Sequence, residues 1–315
     1  MINRKIIIRL SNELGNQMFM YASSLGISKK LNRSLLIDNE TAYLSKKNIS
    51  KYGLNNFKIT SEVSPNNYKF LGTTGYIKRK ILKKIDYFIK NKKFLIEPKN
   101  NFKSTQYNIN LLQKNFSNTI YLEGYFETQK YFIEVKNEII NEFNFNNIDQ
   151  YKKSHFFTAL NKENSVTICI RQNRFSEGKK KEDNTENLTK SINFTKEQLT
   201  YINKSIKFFK SKINNPIFYL WSNNFSEIDN SLFIEKVNLV KHSDEIISNI
   251  DKRALDLFLL SQSKHHIVVP SSFNWWGAWL SKKTNKIIVR PSNSFFSLYK
   301  VNNKDFWPSD WIEIN

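Results

Sequence analysis

Lys5-Ile-Ile-Ile-Arg-Leu10, Ser11-Asn-Glu-Leu-Gly-Asn16 and Ser34-Leu-Leu-Ile-Asp38 decide the fold. The first and third are short apolar runs, the second is turn-forming, and between the second and third Met18, Phe19, Ala22, Leu25 and Leu31 recur at helical spacing. Short apolar runs bounded by turn residues read as buried strands, whereas three- and four-residue spacing marks a helix face. Strand, loop, helix and strand in about 35 residues form a βαβ unit, which implies parallel pairing and a right-handed crossover. The opening fold is therefore α/β.

The second half repeats this grammar. Ser165-Val-Thr-Ile-Cys-Ile170 runs into Arg171-Gln-Asn173, Ile217-Phe-Tyr-Leu-Trp221 into Ser222-Asn-Asn224, and His266-Ile-Val-Val-Pro270 into Ser271-Ser272. Helical segments separate these strands, among them Arg253 to Lys264 with Leu255, Leu257, Phe258, Leu259 and Leu260. Doubly wound sheets are built this way. An Asn- and Lys-rich stretch around Asn144 to Ser154 separates the halves and predicts two domains, 1–150 and 151–315.

Composition narrows the function classes. Forty-nine Lys and Arg against 28 Asp and Glu give a formal charge of +21, alongside 40% hydrophobic residues, enough for a substantial core. Codon bias toward Asn, Lys and Ile accounts for such a charge as readily as anionic partners do: a nucleotide diphosphate, a lipid surface or nucleic acid. One cysteine excludes an internal disulfide and suits a reducing compartment such as the cytoplasm. Only three consecutive apolar residues stand between the basic residues of the first nine, too few for a signal peptide, and no run approaches the ~18 residues of a membrane span. Between Tyr76 and Lys93, Ile77, Ile81, Leu82, Ile85, Phe88 and Ile89 alternate with eight Lys and Arg, predicting a basic amphipathic helix. Packing on its own domain, docking on an anionic membrane and binding RNA all fit that pattern.

In open parallel sheets ligands bind beyond the carboxyl ends of the strands, so the three polar strand ends should share one crevice. Arg171 offers a forked cation, and Ser271-Ser272 opens the helix Phe273-Asn-Trp-Trp-Gly-Ala-Trp-Leu280, whose N-terminal N–H groups favour an anion. A diphosphate suits both, although Ser272 as a plain N-cap and Arg171 as a surface ion-pair partner fit the spacing equally. None of the ten Asp residues forms an Asp-x-Asp pair, and His265 and His266, being adjacent, point to opposite strand faces, so no metal site is expected. Phosphate loops of the G-x-x-x-x-G-K-[ST] type, G-x-G-x-x-G and G-x-S-x-G are all missing, which weakens kinase, dehydrogenase and common hydrolase readings.

Five blocks carry a family resemblance: Leu14-Gly-Asn-Gln-Met-Phe-Met-Tyr-Ala22, Tyr121-Leu-Glu-Gly-Tyr-Phe-Glu-Thr-Gln-Lys-Tyr-Phe132, Val166-Thr-Ile-Cys-Ile-Arg171, Phe218-Tyr-Leu-Trp-Ser222 and Asp256 to Leu280 with its Ser271-Ser-Phe-Asn-Trp-Trp-Gly-Ala-Trp-Leu280. In these the chain resembles the α-1,2-fucosyltransferases of glycosyltransferase family 11. The resemblance implies a GT-B architecture, two Rossmann-like doubly wound domains facing across a cleft, with 1–150 on the acceptor side and 151–315 binding a GDP-sugar. It implies inverting, metal-independent transfer of L-fucose from GDP-β-L-fucose to the 2-hydroxyl of a galactoside, with no cofactor.

By position, Arg171 would stabilise the leaving GDP, Ser271, Ser272 and Phe273 would hold its diphosphate, and Ser222, Asn223 and Asn224 would approach guanine or ribose. Gly15 and Asn16 would wall the cleft near the transferred sugar, Asn16 as a catalytic residue. No base is identified by sequence; Glu13 and Glu123 are the carboxylates nearest the blocks. The family's H-x-R-R-x-D reads Cys169-Ile-Arg-Gln-Asn-Arg174 here, so Arg174 replaces the second Arg only if the chain turns after Asn173. A Ser-Asp-Asp-like stretch is Ser222-Asn-Asn224, and the Gly-Gly ahead of Leu-Gly-Asn is Asn12-Glu13. These departures keep open a transferase for another GDP-sugar, a non-catalytic family member and a basic nucleic-acid- or nucleotide-binding protein, although no nucleic-acid recognition module is present. The expected setting is bacterial surface-glycan assembly (O-antigen or capsule), cytoplasmic, with a lipid-linked galactoside acceptor and peripheral contact with the anionic inner face of the membrane.

Overall fold

The computed structural model describes residues 4–44, 51–98, 106–177, 185–226, 228–241, 250–296 and 299–315. Met1, Ile2 and Asn3, the start of the stretch read above against a signal peptide, lie outside them. In the first unit β1 (Lys5–Arg9), α1 (Leu14–Lys30), β2 (Ser34–Asp38), β3 (Glu62–Val63), α2 (Gly72–Asp86), β4 (Lys92–Ile96), β5 (Phe116–Glu123) and α3 (Lys136–Glu142) follow in order. All ladders are parallel, in the order β3-β2-β1-β5-β4. The chain starts in the middle, winds out through β2 and β3, then returns to the other side of β1. The switch point of this sheet lies between β1 and β5.

The second unit comprises α4 (Ile148–Tyr151), α5 (His155–Leu160), β6 (Ser165–Ile170), α6 (Thr185–Lys212), β7 (Ile217–Ser222), β8 (Val237–Leu239), α7 (Lys252–Gln262), β9 (His265–Ile267), α8 (Ser272–Leu280), β10 (Ile288–Pro291) and β11 (Ile312–Ile314). Its sheet, β11-β10-β9-β6-β7-β8, is also wholly parallel and switches direction between β6 and β9. Two doubly wound Rossmann-like sheets, each on its own core, are the GT-B type of fold.

Burial explains the helices on these sheets. Helix α6 turns Ser191, Phe194, Gln198, Tyr201, Ile202, Ser205, Ile206 and Phe209 inward at intervals of one helical turn. By contrast α8 and α1 are buried nearly all round. Trp275 and Trp276 are fully buried and meet edge to face at 4.9 Å. The polar residues of α1 are satisfied: Gln17 donates to the carbonyls of Asn12 and Lys51 and accepts from the Gly53 N–H, and Ser23 donates to the Phe126 carbonyl.

The contact pattern divides the chain between Asn146 and Asn147, inside the Asn144–Ser154 stretch that separates the halves in the sequence, and assigns Lys304–Phe306 to the first unit. Asp305 accepts from the Tyr107 N–H and pairs with Lys130, and Phe306 packs on Phe19, which draws these three residues across. The basic helix ends at Asp86, not Lys93, because the Asp86 carboxylate accepts the N–H groups of Lys93 and Phe94 and so starts β4.

Helix α1 packs so closely on the 129–131 turn that a Cβ at Gly26 would lie 2.1 Å from the Tyr131 carbonyl oxygen. Gly26→Ala is therefore expected to destabilise the protein by about 1–2 kcal/mol, because overpacking strain of about 2–3 kcal/mol against backbone outweighs the helix-propensity gain of roughly 1 kcal/mol. Urea unfolding of the wild type and the variant measures this, and a stabilised variant would contradict the packing.

Candidate active site

Both switch points carry the residues that sequence picked out. In the second unit β6 lies between β7 and β9, with Ile170 level with Ser222 and Ile168 with Ile267. Arg171, the Ser222–Asn224 loop and the Ser271–Ser272 entry to α8 therefore leave the same edge of the sheet side by side. Ligands bind at such an edge because strand order reverses there and opens a crevice.

The backbone of Arg171 is clamped. Its N–H donates to Gln198 Oε1 at 2.9 Å, and Gln198 Nε2 returns a bond to its carbonyl at 2.9 Å. The guanidinium reaches solvent and pairs with Glu177, so the plain ion-pair reading is realised in this state. Asn173 adopts φ 53°, the left-handed region that Asn tolerates, and its carbonyl accepts the N–H groups of Ser176 and Glu177. The chain does turn after Asn173, but Arg174 swings over the Tyr299 ring at 4.0 Å and toward Phe194, a cation–π seat.

Asn223 spends its amide on the neighbouring strand end: Gln172 N–H donates to its Oδ1 at 2.8 Å and its Nδ2 donates to the Gln172 carbonyl at 3.2 Å. It fixes the loop, and Asn224 Oδ1 accepts the Ser226 N–H at 3.0 Å. Asn173, Ser176, Glu177, Thr185, Leu188, Asn223 and Asn224 line an open cavity of about 590 Å³. That is ample for part of a nucleotide.

At α8 the N-cap is Ser271, not Ser272: Ser271 Oγ accepts from the Asn274 N–H, and Ser271 keeps extended backbone. Ser272 and Phe273 thus occupy the first turn, whose N–H groups have no helical acceptor. Asn274 is buried, and its Oδ1 accepts the Val269 N–H at 2.8 Å. Among the described residues, Arg171 Nε, Gln172 Oε1 and Asn274 Nδ2 are buried without a partner. An unpaired buried polar group costs about 1–3 kcal/mol.

In the first unit Gly15 and Asn16 lie in the first turn of α1, beyond β1, with Glu13 as N-cap residue. Asn16 Nδ2 donates to Glu127 Oε1 at 2.9 Å, which ties the block around Asn16 to the one around Glu127 at the β1/β5 switch. The loop after β5 is rigid: both Glu97 oxygens accept N–H groups, from Tyr125 at 2.7 Å and Phe126 at 2.9 Å. Gly124, at φ 149°, is needed there because a Cβ would lie 2.3 Å from Glu97 Cβ. Glu123 is held by Arg79 on both oxygens and by Lys83 at 2.6 Å. Burial alone would raise its pKa, but the two cations outweigh it and hold the carboxyl below its usual range. Such a carboxylate accepts a proton poorly at neutral pH.

Glu127, Gln198 and Asn274 were not singled out from sequence. Glu127 lies within a quoted block, but Gln198 reaches Arg171 from mid-helix with no local signal. Among the described residues no group of three His, Cys, Asp or Glu side chains is placed to hold a metal ion. His266 bonds Thr167 at 2.7 Å, His265 Nδ1 accepts the Ile287 N–H at 2.9 Å, and burial pushes the Cys169 thiol up, away from reactivity.

The family model "Glycosyl transferase family 11" matches residues 2–315. The chain belongs to glycosyltransferase family 11. Among relatives of this family 11 protein is the Alpha-1,2-colitosyltransferase of Escherichia coli, 26% identical with 98% of each chain covered. The O-antigen biosynthesis glycosyltransferase WbnK, also of Escherichia coli, is 24% identical over 97% of this chain and 99% of its own. NodZ alpha-1,6-fucosyltransferase, in crystals soaked with GDP-fucose, superposes with a TM-score of 0.52 at 15% identity, covering 93% of this chain and 96% of its own. The likeness extends the shared fold across both units.

Burial lowers the His265 pKa to about 4, and that of His266 well below its usual value. The unfolded chain therefore takes up protons first as pH falls below about 6.5, and stability present above that pH is lost down to about pH 4. The urea midpoint is expected to be lower at pH 5 than at pH 7, with part of the difference removed in His265→Gln; equal midpoints in the wild type would contradict the neutral buried pair.

Proposed function

We propose that this family 11 enzyme transfers L-fucose from GDP-β-L-fucose to the 2-hydroxyl of a galactoside with inversion, without a metal, in bacterial surface-glycan synthesis. The observation that carries this is the convergence of Arg171, the Ser222–Asn224 loop and the first turn of α8 on the β6/β9 switch edge. A departing GDP gathers negative charge on its β-phosphate. Preorganised donors aimed at that charge lower the barrier, and a guanidinium beside free helix N–H groups supplies them.

In this reading the acceptor oxygen forms a bond to the anomeric carbon as the bond to the β-phosphate oxygen breaks, GDP leaves with the electron pair, and the acceptor hydroxyl gives up its proton late, to water or a nearby carboxylate. Arg171 exchanges Glu177 for the diphosphate. Ser271, Ser272 and Phe273 line the phosphate end, and Ser222 and Asn224 the nucleoside end, with Asn223 and Gln198 as positioning residues. Gly15 and Asn16, braced by Glu127, form the acceptor-side wall. Glu123, bound by two cations, is disfavoured as base relative to Glu13. The acceptor is a lipid-linked galactoside and the enzyme a cytoplasmic, peripheral one; no helix among the described residues is long and apolar enough to cross a membrane.

A second reading, another GDP-sugar as donor, is favoured by one finding: a relative of this chain is named for colitose transfer. Amides at Asn223 and Asn224 replace carboxylates in the family pattern and agree with a changed donor preference.

Incubation with GDP-fucose, other GDP-sugars and a galactoside panel, with and without EDTA, separates the readings, with product linkage analysis fixing the position of attachment. Turnover of GDP-fucose unaffected by EDTA is expected, and Arg171→Ala is expected to lower kcat by about 10²–10³ with folding retained. Loss of turnover in chelator would contradict the metal-free reaction, and preference for a different GDP-sugar would establish the second reading.

A further inference from the structure

Helix α2 exposes its apolar face. Ile77, Ile81 and Ile85 stand one turn apart at 51%, 52% and 46% exposure, and the chain beyond the helix ends in Tyr87 and Phe88 at 81% and 84%. Packing of this stripe on its own domain, one of the readings the sequence allowed, is not what forms. The inner side is held by other means: Arg79 and Lys83 pair with Glu123, and Asp86 turns inward onto the N–H groups of Lys93 and Phe94.

The outer surface has one sign. Lys78, Lys80 and Lys84 are exposed on the helix, Lys90 and Lys93 are exposed just after it, and Asp86, the sole acidic residue from 72 to 93, is buried. An apolar line bordered by lysines with two aromatic side chains at its tip matches a helix lying in the interface of an anionic bilayer. Hydrocarbon takes up the Ile and Phe side chains, while lysine stems let the ammonium groups reach lipid phosphates.

We infer that α2 and the Tyr87–Phe88 tip dock this enzyme on an anionic phospholipid surface. The docking rests on the proposed transferase reading for its purpose, bringing a lipid-linked acceptor within reach, while its physics resides in α2. Arg79 and Lys83, committed to Glu123, are left out of the contact, so charge reversal belongs at Lys80 and Lys84.

Flotation of the full chain with phosphatidylglycerol-containing vesicles, against phosphatidylcholine vesicles alone, tests this. Wild type should float with the anionic vesicles and remain below with the neutral ones. Tyr87→Ser with Phe88→Ser, and separately Lys80→Glu with Lys84→Glu, should each weaken that binding about tenfold or more. Both pairs should turn over a soluble galactoside at the wild-type rate, so failure of the transferase reading would show as absent wild-type turnover with vesicle binding intact. Absent wild-type flotation, equal flotation with neutral vesicles, unchanged binding in either pair, or displacement of the vesicles by single-stranded RNA would overturn the inference.

Discussion

Strand order is the constraint on which the rest depends. In each unit the first strand sits in the middle of a parallel sheet and the chain later returns to its other side, so β1 meets β5 and β6 meets β9. Parallel pairing sends all four carboxyl ends the same way within their own sheet. Loops that leave such neighbouring ends on opposite faces open a crevice, and the family blocks occupy those loops. Arg171 gains its position from this topology, then its orientation from Gln198, which holds the backbone at both N–H and carbonyl.

The electrostatics follow from where the positive groups end up. A formal charge of +21 is spread along the whole chain and by itself selects no ligand. In the proposed reading selection comes from placement: Arg171 and the first turn of α8 at one sheet edge, and the lysines of α2 around an apolar stripe in the other unit. Arg174, equal in charge, is seated on Tyr299 and Phe194 and serves packing. Glu177 neutralises Arg171 in this state, as an exposed pair that solvent screens and a diphosphate can displace.

Much of the fold was legible because local pattern and tertiary role agreed. Ser165–Ile170 is read from sequence and formed as a strand with the same bounds, since a short uncharged run rich in β-branched residues suits burial on both faces of a parallel sheet. The end of α2 was illegible for the opposite reason: Ile89 continues the helical spacing, while Asp86 stops the helix through bonds to Lys93 and Phe94 in the next strand. Asn223 also latches the backbone of Gln172, a bond invisible in the sequence because the two lie 51 residues apart. Glu127 and Asn16, 111 residues apart, are joined only by the pairing of β1 with β5. Residue types at strand ends were thus visible in the sequence, whereas the side chains that brace them were not.

The central claim is that the β6/β9 edge, with Arg171 and the first turn of α8, holds the diphosphate of the donor. A crystal structure of the protein with GDP tests it most directly. The account requires the β-phosphate within hydrogen-bond distance of the Arg171 guanidinium and of the backbone N–H groups of Ser272 and Phe273, with Glu177 released from Arg171. Density for the nucleotide at another site, with Arg171 still paired to Glu177, would contradict it.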